Sequence, residues 1–166
     1  PTNTNYIVGQ SSGVTYRDWF VFDVPASATP VTSASIAIFN PSNGYASPDA
    51  NETYKLFDIA TPVTTLRSGG TGLTTIFDDL GSGVEFGSVV ITPANNGSLI
   101  LINLNAAGLA AVQAARGGQL AFGGAITSLS GASQQLVFAF SSSTLVRTLI
   151  INGSPEPADW YSLSLD

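Results

Sequence analysis

The sequence predicts an all-β protein, an antiparallel β-sandwich of jelly-roll-like connectivity with one short helix near residues 105–116. Three observations carry this. Short runs of alternating apolar and polar residues recur along the chain, each bounded by Pro, Gly, Asn or Ser. One segment alone combines helical spacing with a start and a stop signal. The strand–helix–strand alternation of a parallel sheet is missing. At 166 residues the chain suits one domain with a core large enough to hold without disulfides.

Taken in order, Tyr6 to Val8 is the first short run. Tyr16 to Val24 follows, with Phe20, Phe22 and Val24 on one face and Arg17, Trp19, Val21 and Asp23 on the other, and Pro25 ends it. Ala34 to Phe39 sets Ile36 and Ile38 against Ser35 and Ala37 and closes at Asn40-Pro41. A loop rich in Asn, Gly, Ser and Pro fills residues 40–51, and Thr53 to Ile59 resumes the strand pattern. Beyond the glycines of residues 68–72, Leu73 to Leu80 reads as a turn of helix or an irregular edge. Glu85 to Thr92 and Ser98 to Leu104 read as two strands joined by a hairpin, with Asn96-Gly97 supplying the positive φ angles of its turn. The helix comes next: Asn105 caps it, Leu109 and Val112 form its apolar stripe, Arg116 suits its C-terminal dipole and Gly117 stops it. Strands return at Gln119 to Ile126, Gln134 to Phe140 and Leu145 to Ile151. Residues 1–151 thus make the sandwich, and residues 152–166 a proline-containing linker and a C-terminal strand.

Composition narrows the chemistry. The chain carries 5 basic and 11 acidic residues, Lys55 is its one lysine, and it has no His, Cys or Met. A typical domain of this size has about 40 charges, so Ser, Thr, Asn and Gly take over the contact with water. Without imidazole or thiol there is no Ser-His or Cys-His nucleophile pair and no His or Cys metal site. Carboxylates are the remaining catalytic groups. The adjacent Asp78 and Asp79 cannot both face one cleft from a strand, and no spacing singles out a glycosidase pair, so the expectation is that the protein is not an enzyme. A net charge of −6 with scattered cations argues against nucleic acid and against anionic membranes. No apolar run approaches the roughly 18 residues of a membrane span. A lysine-poor, sulfur-free chain that opens at Pro1 reads as a mature product outside the cell, with few trypsin sites and no sulfur to oxidise.

The segment Tyr16-Arg-Asp-Trp-Phe-Val-Phe-Asp-Val-Pro25, followed by Val31-Thr-Ser-Ala-Ser-Ile-Ala-Ile-Phe39, resembles the opening of the DNRLRE-type jelly-roll domains. Together with Glu52-Thr-Tyr-Lys-Leu-Phe-Asp58, Gly117-Gly118 and Gly123-Gly124, it is similar to secreted bacterial proteins that end in a Pro-Glu-Pro sorting tail. Pro155-Glu156-Pro157 matches that tripeptide, with no apolar anchor or basic cluster after it. The resemblance implies an extracellular or cell-surface location in a carbohydrate-rich matrix.

Candidate sites follow from the residues themselves. In the last segment Tyr161, Leu163 and Leu165 alternate with Ser162, Ser164 and Asp166. Such a strand either completes its own sheet or adds to a neighbour's, and a head-to-tail donor builds a filament. The N-terminal arm, with Tyr6 and Val8, is the rival donor. Asn51, Asn96 and Asn152 head three glycosylation sequons, and two of these are also Asn-Gly turns. Trp19 and Tyr45 are candidates for a sugar-stacking platform. Asp49, Asn51 and Glu52 offer the oxygen ligands that calcium prefers, the one cofactor considered. The expected function is an extracellular structural protein, a subunit of a filament or biofilm-type surface matrix, with homo-polymer partners. The alternative is a jelly-roll carbohydrate-binding module with a polysaccharide partner.

Overall fold

The computed structural model describes residues 5–68, 73–140, 146–152 and 154–165. Its strands are β1 (Val8–Ser11), β2 (Val14–Asp23), β3 (Ala34–Asn40), β4 (Glu52–Asp58), β5 (Glu85–Ile91), β6 (Ser98–Asn103), β7 (Gln119–Ile126), β8 (Gln134–Val137), β9 (Arg147–Ile151) and β10 (Ser154–Leu165). Every ladder among them is antiparallel. The order is β5-β4-β7-β2-β10-β9-β3-β6, with β1 and β8 attached beside β2. Two sheets face each other, one curled as a half-barrel, and the connections β2–β3, β3–β4, β5–β6, β6–β7 and β8–β9 cross between them. This is the all-β sandwich that the alternating runs predict.

The apolar runs meet between the sheets. Phe86, Phe122, Phe22, Phe20, Tyr6, Phe138 and Tyr54 form a continuous chain of rings with centroid separations of 5.2–6.4 Å, the closest being Tyr54 and Phe138 at right angles. Tilted and edge-on contacts of this kind set the positive rim of one ring against the negative face of the next. The helix α3 (Ala106–Ala114) closes one end of this core with the fully buried Val112. Its cap is the expected one, since Asn105 Oδ1 accepts the Gly108 N–H at 3.0 Å. Two further helices, α1 (Val63–Ser68) and α2 (Thr74–Asp79), cover the outer face of the other sheet. There Leu66 and Leu80 pack with Trp19, Val21 and Ala121 in a second core. The helical alternative for Leu73 to Leu80 is the observed one, whereas α1 is absent from the sequence reading. Its available signal was Pro62, whose carbonyl accepts from Thr65 and Leu66 N–H.

Several boundaries depart from expectation for identifiable reasons. Asn96-Gly97 is not a hairpin turn. Asn96 has φ −63° and Thr92 N–H donates to Asn95 Oδ1 at 2.8 Å, so a 3₁₀ turn at Pro93–Asn95 sends the chain from one sheet to the other. Accordingly β5 pairs with β4, and β6 with β3. The strand expected to reach Phe140 stops at Val137, because Phe138 and Phe140 both take positive φ (54° and 56°). Asn40 Oδ1 accepts the Phe138 N–H at 3.2 Å and holds that ring inside while Phe140 stays exposed. Tyr6 lies just before β1 and is fully buried, donating its hydroxyl to Phe39 O at 2.8 Å.

Trp19 therefore acts as a packing residue between β2 and the covering helices. Truncation by Trp19→Ala is expected to lower unfolding free energy by about 3–5 kcal/mol. Denaturant unfolding checks this, and an unchanged midpoint would contradict the second core.

Candidate functional site

The candidate assembly strand is β10, and the residues that seat it come from β2 and β9. Residues 154–157 pair with β9 from Ser154↔Ile151 to Pro157↔Thr148, and residues 158–165 pair with β2 from Ala158↔Phe22 to Leu165↔Thr15. One strand thus runs from the first sheet into the second. The Pro155-Glu156-Pro157 stretch, read from sequence as a spacer, is already strand. Its prolines are tolerated for a geometric reason. Phe39 N–H bonds Val146 O, so by alternation Thr148 and Ile150 turn their polar groups toward β3, and the opposing Pro157 and Pro155 have no donor to lose toward β9. Backbone pairing places Tyr161, Leu163 and Leu165 opposite Trp19, Arg17 and Thr15. The rival donor is also seated within the chain: Val8 lies in β1, paired with both β2 and β8.

Asn152 fixes the turn that leads into β10. It takes φ 49°, a left-handed conformation that Asn tolerates better than most residues. Its Oδ1 accepts from Thr32 N–H (2.9 Å), Thr32 Oγ1 (3.0 Å) and Ser33 N–H (3.2 Å), and its Nδ2 donates to Pro30 O (2.9 Å). Of the three sequon asparagines, Asn152 is thus a structural clamp. Asn96 has a similar use, with Oδ1 accepting the Tyr45 N–H at 2.7 Å. Asn51 is exposed.

The other candidates separate. Trp19 and Tyr45 are 2% and 7% exposed and belong to different cores, so the structure does not bring them together and offers neither ring to a ligand face. Asp49 and Glu52 do converge, but on Gln135. Gln135 Nε2 donates to Asp49 Oδ2 (2.8 Å) and Glu52 Oε1 (3.1 Å), Ser47 and Ser128 hydroxyls donate to Glu52, and Ser130 Oγ to Asp49 Oδ2. The network pins the 128–135 loop to the start of β4, and Asn51 stays outside it. Among the described residues no group of three or more His, Cys, Asp or Glu could hold a metal ion. Asp79 is spent on the Ala60 and Thr61 backbone, while Asp78 lies 3.8 Å from Arg17, so the two carboxylates diverge. Lys55 pairs with Glu85 at 2.7 Å.

Two features escaped the sequence reading. The first is Asp18, fully buried on the Phe20 and Phe22 side of β2. Tyr54 donates its hydroxyl to Asp18 Oδ1 at 2.8 Å, and Asp18 Oδ2 has no hydrogen-bond partner among the described residues. Glycine at 124 makes the pair possible, since a Cβ there would sit 2.0 Å from both Asp18 Oδ1 and the Tyr54 hydroxyl. Burial pushes the Asp18 carboxyl up to about 8, against the smaller opposing effect of the Tyr54 bond. Nearby, burial raises Tyr6 to about 12, and Arg147, whose guanidinium lies 4.6 Å from the Tyr6 ring centroid, pulls the other way. The second is a cavity of about 290 Å³ between the β2–β3 loop, the end of α3 and the β9–β10 turn.

No family model matches the chain, and no curated protein or solved structure matches it.

Because folding raises the Asp18 pKa, the folded state holds a proton that the unfolded chain releases near pH 4. The stabilisation is whole below about pH 4, falls as pH rises, and is gone above about pH 8. Asp18→Asn keeps the shape without the charge and is expected to flatten that slope, gaining a few kcal/mol over the parent at pH 8–9 by linkage, on the order set by. Urea unfolding across pH reads both; parallel slopes in the two proteins would contradict a neutral buried Asp18.

Proposed function

We propose that this chain is a structural subunit of an extracellular filament or surface matrix, joined to its neighbours by strand addition. The observation that carries the reading is the position of β10. Strand β10 belongs to both sheets: residues 154–157 pair with β9 and residues 158–165 pair with β2. If that strand leaves, two rows of backbone donors and acceptors open, and the matching strand of another copy fits them register for register. Exchange of identical elements adds no new contact to be invented and, when head to tail, does not close.

The composition supports the same reading. Backbone pairing needs no charge, and the chain has 10% charged residues. A chain without Cys or Met has no sulfur for the oxidants met outside a cell to attack. The likeness of residues 16–39 to DNRLRE-type domains supports a surface location. The convergent carboxylates Asp49 and Glu52 are bound to Gln135 and Ser donors, which favours a cohesive role for them over a reactive one.

The absence of native cysteine makes the test clean. Thr15 and Leu165 face each other across β2 and β10. In a Thr15→Cys/Leu165→Cys variant assembled and then oxidised, exchanged strands give a ladder of covalent multimers on a non-reducing gel, alongside polymers in negative-stain micrographs. A single oxidised monomer band with no polymer would overturn the proposal.

A further inference from the structure

The cavity beside the β9–β10 turn is held open. Its outer wall is the β2–β3 connection, which has no regular structure of its own but is tied down at three points. At one end Gly117 and Gly118 exchange backbone bonds with Val24. In the middle Gln113 Oε1 accepts the Val31 N–H at 2.9 Å. At the other end Asn152 binds Pro30, Thr32 and Ser33. A loop fixed in this way cannot collapse onto the space it encloses, so the site is formed before any ligand arrives.

The lining is divided by chemistry. Val24, Val31 and Ile151 make an apolar wall, Ser27 and Thr29 supply hydroxyls, and Arg116 is the one charged side chain. Arg116 takes no part in the Arg17–Asp78 and Lys55–Glu85 ion pairs. A half-buried guanidinium offers a planar fork that matches a carboxylate with two parallel hydrogen bonds. The surrounding chain carries −6, so a single negative charge enters at lower electrostatic cost than the double charge of a phosphate. The hydroxyls and the apolar wall then suit a body with hydroxyl groups at its rim and C–H groups on its face. A volume of about 290 Å³ admits one six-membered ring with substituents.

We propose that this cavity binds a hydroxylated monocarboxylate of sugar-acid size, its carboxylate on Arg116 and its ring against Val31 and Ile151. The site borders the β9–β10 turn through Asn152 and Ser154, and binding to the monomeric chain, with β10 in its own sheets, tests it independently of polymerisation. The probe is sodium glucuronate, titrated into the isotopically labelled full chain and followed by amide NMR. Saturable shifts are expected at Thr29, Val31 and Asn152. Arg116→Gln is expected to weaken binding by about tenfold or more, with Arg116→Lys recovering part of it, as loss of a bidentate charged pair requires. Glucose, which lacks the carboxylate, benzoate, which lacks the hydroxyls, and inorganic phosphate should each bind at least about tenfold more weakly. Val31→Phe, which fills the cavity without touching Arg116, should abolish the shifts even if Arg116→Gln proves poorly folded. Equal binding by a folded Arg116→Gln or by Val31→Phe would overturn the proposal. So would any of the three control ligands matching glucuronate, or the absence of a saturable response.

Discussion

The pairing of β10 with β9 along its first half and with β2 along its second is the constraint on which the sandwich depends. Residues 154–157 lie on β9 in the sheet that also holds β3 and β6, and residues 158–165 lie on β2 in the sheet that holds β7, β4 and β5. The last strand is therefore the splice between two sheets whose other strands reach each other only through loops and the core. A chain organised this way completes its hydrogen bonding only when residues 154–165 are in place. The same dependence that stabilises the finished domain leaves a defined vacancy when that segment is elsewhere, and the proposed assembly by exchange rests on that vacancy.

Around the splice, uncharged polar side chains do what ion pairs do in more highly charged domains. Asn40 joins the backbone of Asn95 to that of Phe138, Asn152 holds the Pro30–Ser33 segment, and Gln135 gathers the N–H groups of Ser130, Gly131 and Ala132 in its own loop. A buried amide with all its bonds made fixes a loop without the desolvation cost of a charge. The exception is Asp18, placed among aromatic rings on the strand that seats β10, and there burial favours the neutral acid. A charge-poor composition is thus compatible with a rigid set of loops, including the three-point tether that keeps the Arg116 cavity open.

Local chemistry was legible wherever local chemistry decided the outcome. Alternation from Tyr16 to Val24 located β2 and its inward Phe20 and Phe22, and Asn105 with Gly117 bracketed α3 within two residues. Where a distant partner decided, the reading failed. Asn96-Gly97 carries a hairpin signal, but Asn95 and Asn96 are engaged by Thr92 and Tyr45, and the chain crosses sheets instead. Phe138 fits a strand by propensity and is turned out of it by Asn40. The Pro155 and Pro157 pair looked like a spacer because proline lacks a donor, and it fits a strand because those two nitrogens face away from β9. Asp18 had a signal that went unused: strict alternation places it on the face of Phe20 and Phe22, where a carboxylate has no water. The Arg116 cavity had none, since its walls come from three separate stretches: the β2–β3 connection, Arg116 just beyond α3, and Ile151, Asn152 and Ser154.

The central claim, that the last strand completes the fold, is tested most directly by supplying it separately. A chain ending at Asn152 is followed by near-ultraviolet circular dichroism, alone and with a synthetic peptide of residues 154–166 added in trans. The account predicts that the shortened chain lacks the fixed aromatic signal of the Phe20, Phe22 and Phe122 core and regains it, stoichiometrically, on adding the peptide. A shortened chain that shows the full signal and unfolds at the same midpoint as the complete protein would contradict it.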